Sequence, residues 1–531
     1  MSEDGLPACK YGSKCYRKNP LHLKEFSHPN KSAHSDQVSR KRKNSSEGAD
    51  EICAKSTVGS GESGTSSIPP GNVQLTSDKN TTKELSPATQ VALSQSCSKY
   101  NYYLTYVQRG IDNSYNQGSS LTLYNVINGT KAELESSCLL SYMFDLDWIR
   151  QQYKLCDRTK PMTVVHGLKG DSRIELLEQR GSNSNIKIVE AKLDIPYGVH
   201  HTKMMILKYT TGIRVMITTA NLIPMDWFQK TQALWCSPLC PPGSGDSNTN
   251  FKADLIEYLS GYKSKLIAEW IDLIRQHDMS KCRVWLIGSV PGRYLGGKKF
   301  SFGHLKLRKI LQQHGPASDA SSWPVIGQFS SIGRLGANAN SWLRGEFMQS
   351  LSMTKGGTLS APLPDLKLVF PTVENVRNSL EGYQAGGSLP FSQQTYDQQR
   401  YIKSFMCEWR SESRGRSQAS PHIKSYLRLS PDNKRVPWFL TTSSNLSKAA
   451  WGALEKQETQ LMIRSYELGV LFLPEMFDLE NFVVDDSFSD GNAFPFPFDL
   501  PLTPYLPADE PWIVDRKYAD KPDSCGEFWN T

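Results

Sequence analysis

One sequence motif occurs twice in the chain, and this repetition constrains the fold more than any other feature. The first copy spans residues 201–222 and reads His-x-Lys, an interval, then Thr-Thr-Ala-Asn-Leu. The second spans residues 422–446 and reads His-x-Lys, an interval, then Thr-Ser-Ser-Asn-Leu. Side chains two residues apart on a strand point to the same face. The repeat therefore predicts two similar halves that face each other across one site.

Together the two copies would bring two imidazoles, two ammoniums and two amides to one point. The residues are His201, Lys203, Asn221, His422, Lys424 and Asn445. This set suits a phosphodiester, because cations and amides hold the non-bridging oxygens while one imidazole attacks phosphorus and the other protonates the leaving oxygen. A single His-x-Lys is common and carries little information. The recurrence with a matched Asn-Leu ending favours the catalytic interpretation.

Two longer runs, at residues 197–205 and 443–452, carry a family resemblance. They resemble the type 1 tyrosyl-DNA phosphodiesterases, a branch of the phospholipase D superfamily, and the resemblance covers residues 98–531. The wider superfamily reads His-x-Lys-x4-Asp, whereas Lys208 and Leu429 stand at the Asp positions here. This departure argues against a lipid-cleaving phospholipase D. The resemblance implies an α/β fold of two similar phospholipase D-like α-β-α sandwich domains with one active site at their interface.

The resemblance also implies how the repeated residues divide the chemistry. Attack needs an uncharged imidazole and leaving-group expulsion a protonated one, so the two histidines need different surroundings. His201 matches the nucleophile, which would form a phosphohistidine as tyrosine leaves. His422 matches the general acid, which would then activate water and release DNA with a 3′-phosphate. By the family pattern Glu467 orients His201 and Gln232 pairs with His422.

Other site residues are implied in the same way. The phosphoryl oxygens would be held by Lys203, Lys424, Asn221 and Asn445. DNA contacts are expected from a base-stacking aromatic and three phosphate-binding residues, namely Tyr197, Ser331, Ser447 and Lys448. Arg334 stands where the family often carries serine. For Trp342 and Trp512 a place in the core is at least as strongly expected as a substrate role, and His200 should face away from the site.

A second motif lies at the N-terminus. Two thiols and two imidazoles fall within twenty residues, at Cys9, Cys15, His22 and His28. These are the four donors that a tetrahedral structural zinc takes, and so small a segment needs the metal to fold. The run resembles the poly(ADP-ribose)-binding zinc finger. The resemblance implies polymer contacts from Tyr11, Tyr16 and Arg17. A tail with unrelated Cys and His residues is the alternative.

Residues 30–97 are rich in Ser, Thr, Gly, Asn and Lys and carry hardly any aromatic residue. This composition predicts a disordered linker. Its basic cluster at residues 40–43, Arg-Lys-Arg-Lys, is typical of a nuclear localisation signal, with a solvated charge run as the alternative.

Length and composition set outer limits on the chain. The 531 residues predict domains at 1–29, 30–97, 98–288 and 289–531, the first a zinc finger, the second the linker, the last two catalytic. A net charge of +8 permits a nucleic acid partner without requiring one. No apolar run reaches the roughly 18 residues of a membrane span.

The eleven cysteines fit reduced thiols, and Cys236 and Cys240 are interpreted as loop cysteines. No catalytic metal is expected, because the two motif lysines supply the positive charge.

The residue pattern also predicts secondary structure. Apolar alternation predicts strands at 186–189, 202–207, 215–218, 284–287, 366–370, 438–441 and 468–473, and a helix at 254–276.

Three functions remain in competition. The leading one is a nuclear, monomeric DNA-repair phosphodiesterase that removes tyrosyl peptides, such as topoisomerase I remnants, and other adducts from DNA 3′ ends. Its zinc finger would recruit it to poly(ADP-ribose), and no membrane partner is expected. A lipid- or nucleic acid-cleaving phospholipase D and a catalytically inactive poly(ADP-ribose)-binding scaffold are the alternatives. The complete set of six motif residues disfavours the scaffold.

Overall fold

The computed structural model describes residues 99–116, 120–359, 362–484 and 494–530. The predicted zinc finger, its polymer-contacting residues, the linker and the basic cluster all lie outside these residues. Within the described part, an eight-stranded and a seven-stranded sheet dominate, accompanied by a three-stranded and a two-stranded sheet. The predicted α/β class is confirmed. No helix in the described ranges has the length and apolar character needed to cross a bilayer.

The first half supplies the eight-stranded sheet. Its strands are Tyr102–Thr105 (β1), Ser120–Leu121 (β2), Leu134–Leu140 (β3), Met162–His166 (β4), Ile186–Glu190 (β5), Met204–Tyr209 (β6), Gly212–Thr218 (β7) and Ala233–Cys236 (β8). Its helices are Leu123–Asn128 (α1), Leu146–Gln151 (α2), Gly170–Arg180 (α3), Pro224–Phe228 (α4), Phe251–Ser260 (α5) and Lys265–Arg275 (α6), with short 3-10 helices at Asn113–Asn116 and Leu155–Asp157.

The second half supplies the remaining elements. Its strands are Trp285–Ser289 (β9), Gly292–Leu295 (β10), Val325–Gln328 (β11), Leu366–Val369 (β12), Met406–Cys407 (β13), Ser425–Arg428 (β14), Arg435–Val436 (β15), Trp438–Thr442 (β16), Ala453–Glu455 (β17), Gln460–Ile463 (β18), Glu467–Phe472 (β19) and Phe482–Val483 (β20). Its helices are Gly303–His314 (α7), Met348–Leu351 (α8), Val373–Arg377 (α9), Gln393–Asp397 (α10) and Lys448–Trp451 (α11). A π-helical turn covers Leu343–Phe347, and 3-10 helices cover Gly296–Phe300, Ser318–Ser322, Gly382–Ser388, Arg400–Phe405 and Pro474–Phe477.

The two large sheets share one topology at their centres. The first has the order β2-β1-β8-β7-β6-β3-β4-β5, and the second has the order β13-β12-β11-β14-β16-β19-β9. In the first, β4 and β3 are parallel while β3, β6, β7 and β8 run antiparallel in turn. In the second, β12 and β11 are parallel while β11, β14, β16 and β19 run antiparallel in turn. The repeated sequence motif therefore belongs to a structural repeat, in which the two sheets share their central strand arrangement.

The sheets face each other across a shared apolar core. On β7, Val215 and Ile217 belong to this central core, whereas Met216 between them belongs to a separate core on the outer face. Such alternation is what a strand buried on both faces requires. The ring of Tyr102 on the first sheet lies 5.5 Å, centroid to centroid, from the ring of Phe439 on the second and 5.5 Å from that of Phe472. These contacts hold the two halves in fixed register.

One detail differs from the sequence-based expectation. The helix predicted over 254–276 is two helices, α5 and α6, separated by a turn in which Lys263 has φ of 50°. The backbone at Gly261 lies close to Val290, since a Cβ there would lie 2.6 Å from Val290 Cγ1. Strand β9, which the predicted boundary at residue 288 divides, pairs with β19 of the second sheet. The division into two catalytic domains stays a prediction.

Candidate active site

The two His-x-Lys motifs occupy equivalent places in the two sheets. Each motif ends immediately before a strand, β6 in the first half and β14 in the second. The backbone oxygen of Lys203 accepts from Thr218 N at 3.1 Å, and that of Lys424 accepts from Thr442 N at 3.0 Å. In each copy the lysine Nζ also donates to the carbonyl oxygen of the motif histidine. The two copies are thus the same structural unit.

The equivalence extends to a hydroxyl behind each motif. Thr219 Oγ1 donates to Gln232 Oε1 at 2.7 Å, and Ser443 Oγ donates to Glu467 Oε2. Each hydroxyl also accepts from the backbone N–H of the residue that follows its partner. Ala233 N donates to Thr219 Oγ1 and Leu468 N to Ser443 Oγ, each at 3.0 Å. Gln232 and Glu467 therefore stand at matching positions, Gln232 immediately before β8 and Glu467 as the first residue of β19. The sheets are alike, but an amide replaces a carboxylate.

Each histidine is held by the opposite half of the molecule. His201 Nδ1 lies 2.9 Å from Glu467 Oε2, and its backbone N donates to Tyr466 O at 2.9 Å. His422 Nδ1 lies 2.7 Å from Gln232 Nε2, and its backbone N donates to Thr231 O at 3.1 Å. Because these contacts span 266 and 190 residues, they require the two halves to meet.

Burial and positive charge disfavour protonation of both rings. The pKa of His201 lies well below its usual value because of burial and the nearby Lys203 and Lys424 ammoniums. The pKa of His422 is depressed in the same way by burial, by both lysines, and by His201 and Lys230. His201 is linked to Ser443 of the second copy through Glu467, and His422 to Thr219 of the first through Gln232, so both motifs border one pocket. These surroundings therefore favour neutral imidazoles.

The charged groups of the pocket are also shifted by burial. Burial lowers the pKa of Lys203 to about 7, and Glu467 and Asp226 act against that fall. Burial and Lys203 together place the pKa of Lys424 well below its usual range. Burial raises the pKa of Glu467 to about 8, opposed by Lys203, Ser443 and Lys424. Such a site gains from an anionic ligand, which restores the lysine charges.

The two motif asparagines are oriented differently. Asn445 Oδ1 accepts from Ser330 N at 3.1 Å and from Ser330 Oγ at 3.2 Å. Two donors on the oxygen fix the amide orientation and leave its NH2 group to face a ligand. Asn221 is held through its backbone, since its N–H donates to Asp226 Oδ2 at 2.7 Å and its carbonyl accepts from Trp227 Nε1 at 3.0 Å.

Several residues of the site were not predicted from the sequence. Tyr142 places its ring 5.4 Å from the ring of His201 and 5.5 Å from Lys203 Nζ. Lys230 and Glu381 form an ion pair between the halves, with side chains only 2% and 4% exposed. The matching hydroxyls Thr219 and Ser443 could have been found by aligning the two copies. Ser330, Tyr142, Asp226 and the ion pair carry no comparable sequence signal.

The candidate DNA contacts differ in exposure and in local contacts. Tyr197 is 53% exposed and has φ of 64°. Ser331 is buried, and its hydroxyl donates to Pro390 O at 2.7 Å. Ser447 caps the N-terminus of α11, where its Oγ accepts from Ala450 N at 3.2 Å, and Lys448 is the first residue of that helix. Their roles in binding DNA stay predictions.

Other residues singled out from the sequence lie in structural positions. His200 is buried, and its Nε2 lies 2.9 Å from the Tyr262 hydroxyl. The Trp342 and Trp512 indoles are buried, and their Nε1 atoms donate to Gly452 O and Gly386 O, each at 3.1 Å. At the two superfamily aspartate positions, Lys208 pairs with Glu135 at 2.7 Å and Leu429 is buried in the central core.

Across residues 99–530, with the undescribed gaps set aside, no group of three or more His, Cys, Asp or Glu side chains is arranged to hold a metal ion. Cys236 and Cys240 are buried free thiols. The four predicted zinc donors lie outside the described residues.

Comparisons with known proteins agree on one family. A sequence model of tyrosyl-DNA phosphodiesterases matches residues 101–506, and a model of the PBZ domain matches residues 6–31. Tyrosyl-DNA phosphodiesterase 1 of Drosophila melanogaster is 34% identical over 587 residues, which cover 96% of this chain and 99% of that protein. The Arabidopsis thaliana protein of the same name is 35% identical over 464 residues, covering 77% and 74%. The crystal structure of yeast tyrosyl-DNA phosphodiesterase matches with a TM-score of 0.59 at 23% identity, covering 78% of this chain and all of that one.

Proposed function

The chain belongs to the tyrosyl-DNA phosphodiesterase family, and from that premise we propose that it hydrolyses the 3′-phosphotyrosyl bond between DNA and a tyrosine through a phosphohistidine. The substrate would be DNA that carries a peptide remnant of topoisomerase I, or another adduct, at its 3′ end. The observation that carries the proposal is the crossed arrangement in which each motif histidine is held by a residue of the opposite half.

The difference between Glu467 and Gln232 supports the two histidine roles that the family resemblance implies. Burial raises the pKa of Glu467, while Lys203, Ser443 and Lys424 oppose that rise and favour the ionised form. In that form the carboxylate accepts but cannot donate, so Glu467 holds the proton of His201 on Nδ1 and leaves a lone pair on Nε2. That nitrogen is the nucleophile. The amide of Gln232 adds no charge beside His422, which must gain and lose a proton during turnover. His422 is therefore the general acid and base.

The reaction then proceeds in two balanced steps. In the first, His201 Nε2 forms a bond to phosphorus as the bond to the tyrosine oxygen breaks, and His422 transfers its proton to that oxygen. In the second, water attacks phosphorus, His422 takes a proton from the water, and the bond to His201 breaks. The products are a free tyrosyl peptide and DNA with a 3′-phosphate.

Four side chains would hold the phosphoryl oxygens through both steps. They are Lys203, Lys424, Asn221 and Asn445. Two ammoniums and two amides aimed at one phosphoryl group stabilise the charge that builds up in each transition state. The adjacent DNA strand would be bound by Tyr197, Ser331, Ser447 and Lys448.

The N-terminal segment would direct the enzyme to damaged DNA. The PBZ match over residues 6–31 supports a structural zinc held by Cys9, Cys15, His22 and His28 and a poly(ADP-ribose) contact through Tyr11, Tyr16 and Arg17. Together with the basic cluster at residues 40–43, it supports action in the nucleus.

The test is a single-stranded oligonucleotide that carries a 3′-phosphotyrosine. Wild-type protein should release tyrosine and leave a 3′-phosphate, and His201→Ala should lose nearly all activity. His422→Ala should form the covalent adduct but hydrolyse it slowly, so that protein-linked DNA accumulates on denaturing gels. Peptide mapping should locate the adduct on His201. Persistence of the substrate with folded wild-type protein would reject the function, and an adduct on another residue would reject the mechanism.

A further inference from the structure

A buried carboxylate that the repeat does not predict lies behind the second motif histidine. Asp226 belongs to the short helix α4, and its side chain is only 2% exposed. Its Oδ2 lies 3.4 Å from His422 Nδ1 and accepts from the backbone N–H of Asn221 at 2.7 Å. One carboxylate oxygen therefore contacts both a motif asparagine and the opposite histidine.

This carboxylate has no counterpart in the other copy. Asp226 follows Asn221 by five residues, and the residue five positions after Asn445 is Ala450. His201 is thus held by the carboxylate Glu467, while His422 is held by the amide Gln232 and faces Asp226 at a longer distance. The second asymmetry complements the first.

We propose that Asp226 is a positioning residue that keeps His422 able to carry the proton for the leaving tyrosine. The inference rests on the function proposed above, in which His422 is the general acid. Burial raises the pKa of Asp226, and Lys230, the Asn221 N–H, Lys424 and Lys203 oppose that rise. In its ionised form, a carboxylate 3.4 Å away favours the imidazolium, and the contact with Asn221 fixes the distance between the carboxylate and the pocket. Gln232 sets the ring orientation, while Asp226 supplies the charge.

The surroundings of His422 explain why such a charge is needed. The positive groups that face it are Lys424, Lys203, His201 when protonated, and Lys230, and all of them oppose protonation. Lys230 is itself paired with Glu381, and Glu467 contacts His201. Of the side chains that the structure describes, Asp226 supplies the carboxylate within ion-pair distance of His422. Without it, the imidazolium would face only like charges and a neutral amide.

The test is the full-length variant Asp226→Asn, which keeps the size and the acceptor for Asn221. Asp254→Asn, which removes the charge from a partly buried ion pair with Lys306, is the matched control. Removing the carboxylate should lower the pKa of His422, so a smaller fraction stays protonated as pH rises. The alkaline limb of single-turnover adduct formation should move down by about one pH unit, which makes the variant about tenfold slower on that limb, with KM unchanged. Asp254→Asn should leave the profile in place.

A second measurement separates this inference from the proposed function. The NMR titration of the His422 ring, assigned with His422→Gln, reports its protonation without turnover. Its midpoint should fall by about one unit in Asp226→Asn. If wild-type protein does not cleave the substrate, the function fails while the titration still tests Asp226. If the variant folds poorly, Asp226→Ser receives both measurements. An unchanged midpoint together with an unchanged pH profile would overturn the inference.

Discussion

Glu467 and Gln232 differ by one functional group, and this difference separates two otherwise matched histidines. Gln232 accepts a hydrogen bond from the hydroxyl of Thr219, and Glu467 accepts one from the equivalent hydroxyl of Ser443. An ionised carboxylate can only accept from the ring, whereas an amide can either donate or accept. In the proposed mechanism, the roles of the two histidines therefore depend on which residue stands at each of two equivalent positions.

Glu467→Gln should slow formation of the covalent adduct more than its breakdown. The amide no longer holds the proton on Nδ1 of His201, so the nucleophilic tautomer becomes a minority. A triad aspartate that fixes a histidine tautomer is worth about 10⁴-fold, and a loss of about 10²–10⁴-fold in the single-turnover rate is expected here. Glu135→Gln, an exposed pair partner of Lys208, serves as control. Equal slowing of both steps would argue against a role confined to the nucleophile.

Lys203 should take up a proton when the pocket binds an anion. Burial lowers its pKa to about 7, and the negative phosphoryl group raises it again. At pH 8 the Lys203 side chain is mostly neutral without the anion and charged with it. Lys203 and Lys424 together take up more protons than the one carboxylate, Glu467, can release, so binding gives net proton uptake. Calorimetry in buffers of different ionisation enthalpy measures it, with an oligonucleotide ending in a 3′-methyl phosphate diester. Lys203→Gln should reduce the uptake, and a buffer-independent enthalpy for wild type would contradict the prediction.

At the scale of elements, the loop that carries His422 is fastened to the first half. The Thr231 hydroxyl donates to Ala419 O at 2.9 Å, and its backbone N donates to Ser420 O at 3.0 Å. One residue earlier, Lys230 forms the buried ion pair with Glu381. These contacts fix the segment that holds Gln232 against the segment that holds His422.

Glu381→Gln should lower the free energy of unfolding by about 3–5 kcal/mol, because it leaves the Lys230 ammonium buried and uncompensated. The double variant Lys230→Met with Glu381→Leu should recover much of that stability, since paired removal leaves no unpaired charge. Urea denaturation followed by circular dichroism measures both. Asp272→Asn breaks an exposed pair with Arg275 and should change stability by less than about 1 kcal/mol. A single variant as stable as wild type would mean that the ion pair does not fasten the halves.

The sequence predicted the parts of the site whose residue types repeat. His-x-Lys and the Asn-Leu ending can be recognised at both copies because the chemistry requires those side chains. Ser330 contacts Asn445 across 115 residues, and Lys230 contacts Glu381 across 151, and neither pair has a distinctive pattern. Such contacts exist only once the sheets have packed. The break between α5 and α6, at a turn where Lys263 has φ of 50°, was also missed.

At the scale of the molecule, the shared apolar core offsets the unfavourable free energy of burying ionisable groups in the site. The pocket buries two lysines, two histidines and two carboxylates, and burial disfavours the charged form of each. In the shared core, Phe494 stacks on Tyr102 at a centroid distance of 5.4 Å and tilts against Phe439 at 4.8 Å. Because the rings come from both sheets, the apolar contacts that stabilise the fold also align the two motifs.

The N-terminal segment tests whether the chain separates recruitment from catalysis. All of the residues that form the pocket lie between 142 and 467, whereas the predicted zinc donors lie between 9 and 28. Cys15→Ala removes one of four donors, and a finger that needs its metal to fold should then lose poly(ADP-ribose) binding altogether. Turnover of a short 3′-phosphotyrosyl oligonucleotide should stay within about twofold of wild type, because no zinc donor belongs to the pocket. Filter binding of the polymer and steady-state kinetics on the same preparation measure the two activities, with Cys156→Ala, an exposed free thiol, as control. A parallel loss of both activities in Cys15→Ala would mean that the finger supports the catalytic body directly and is not a separate recruitment module.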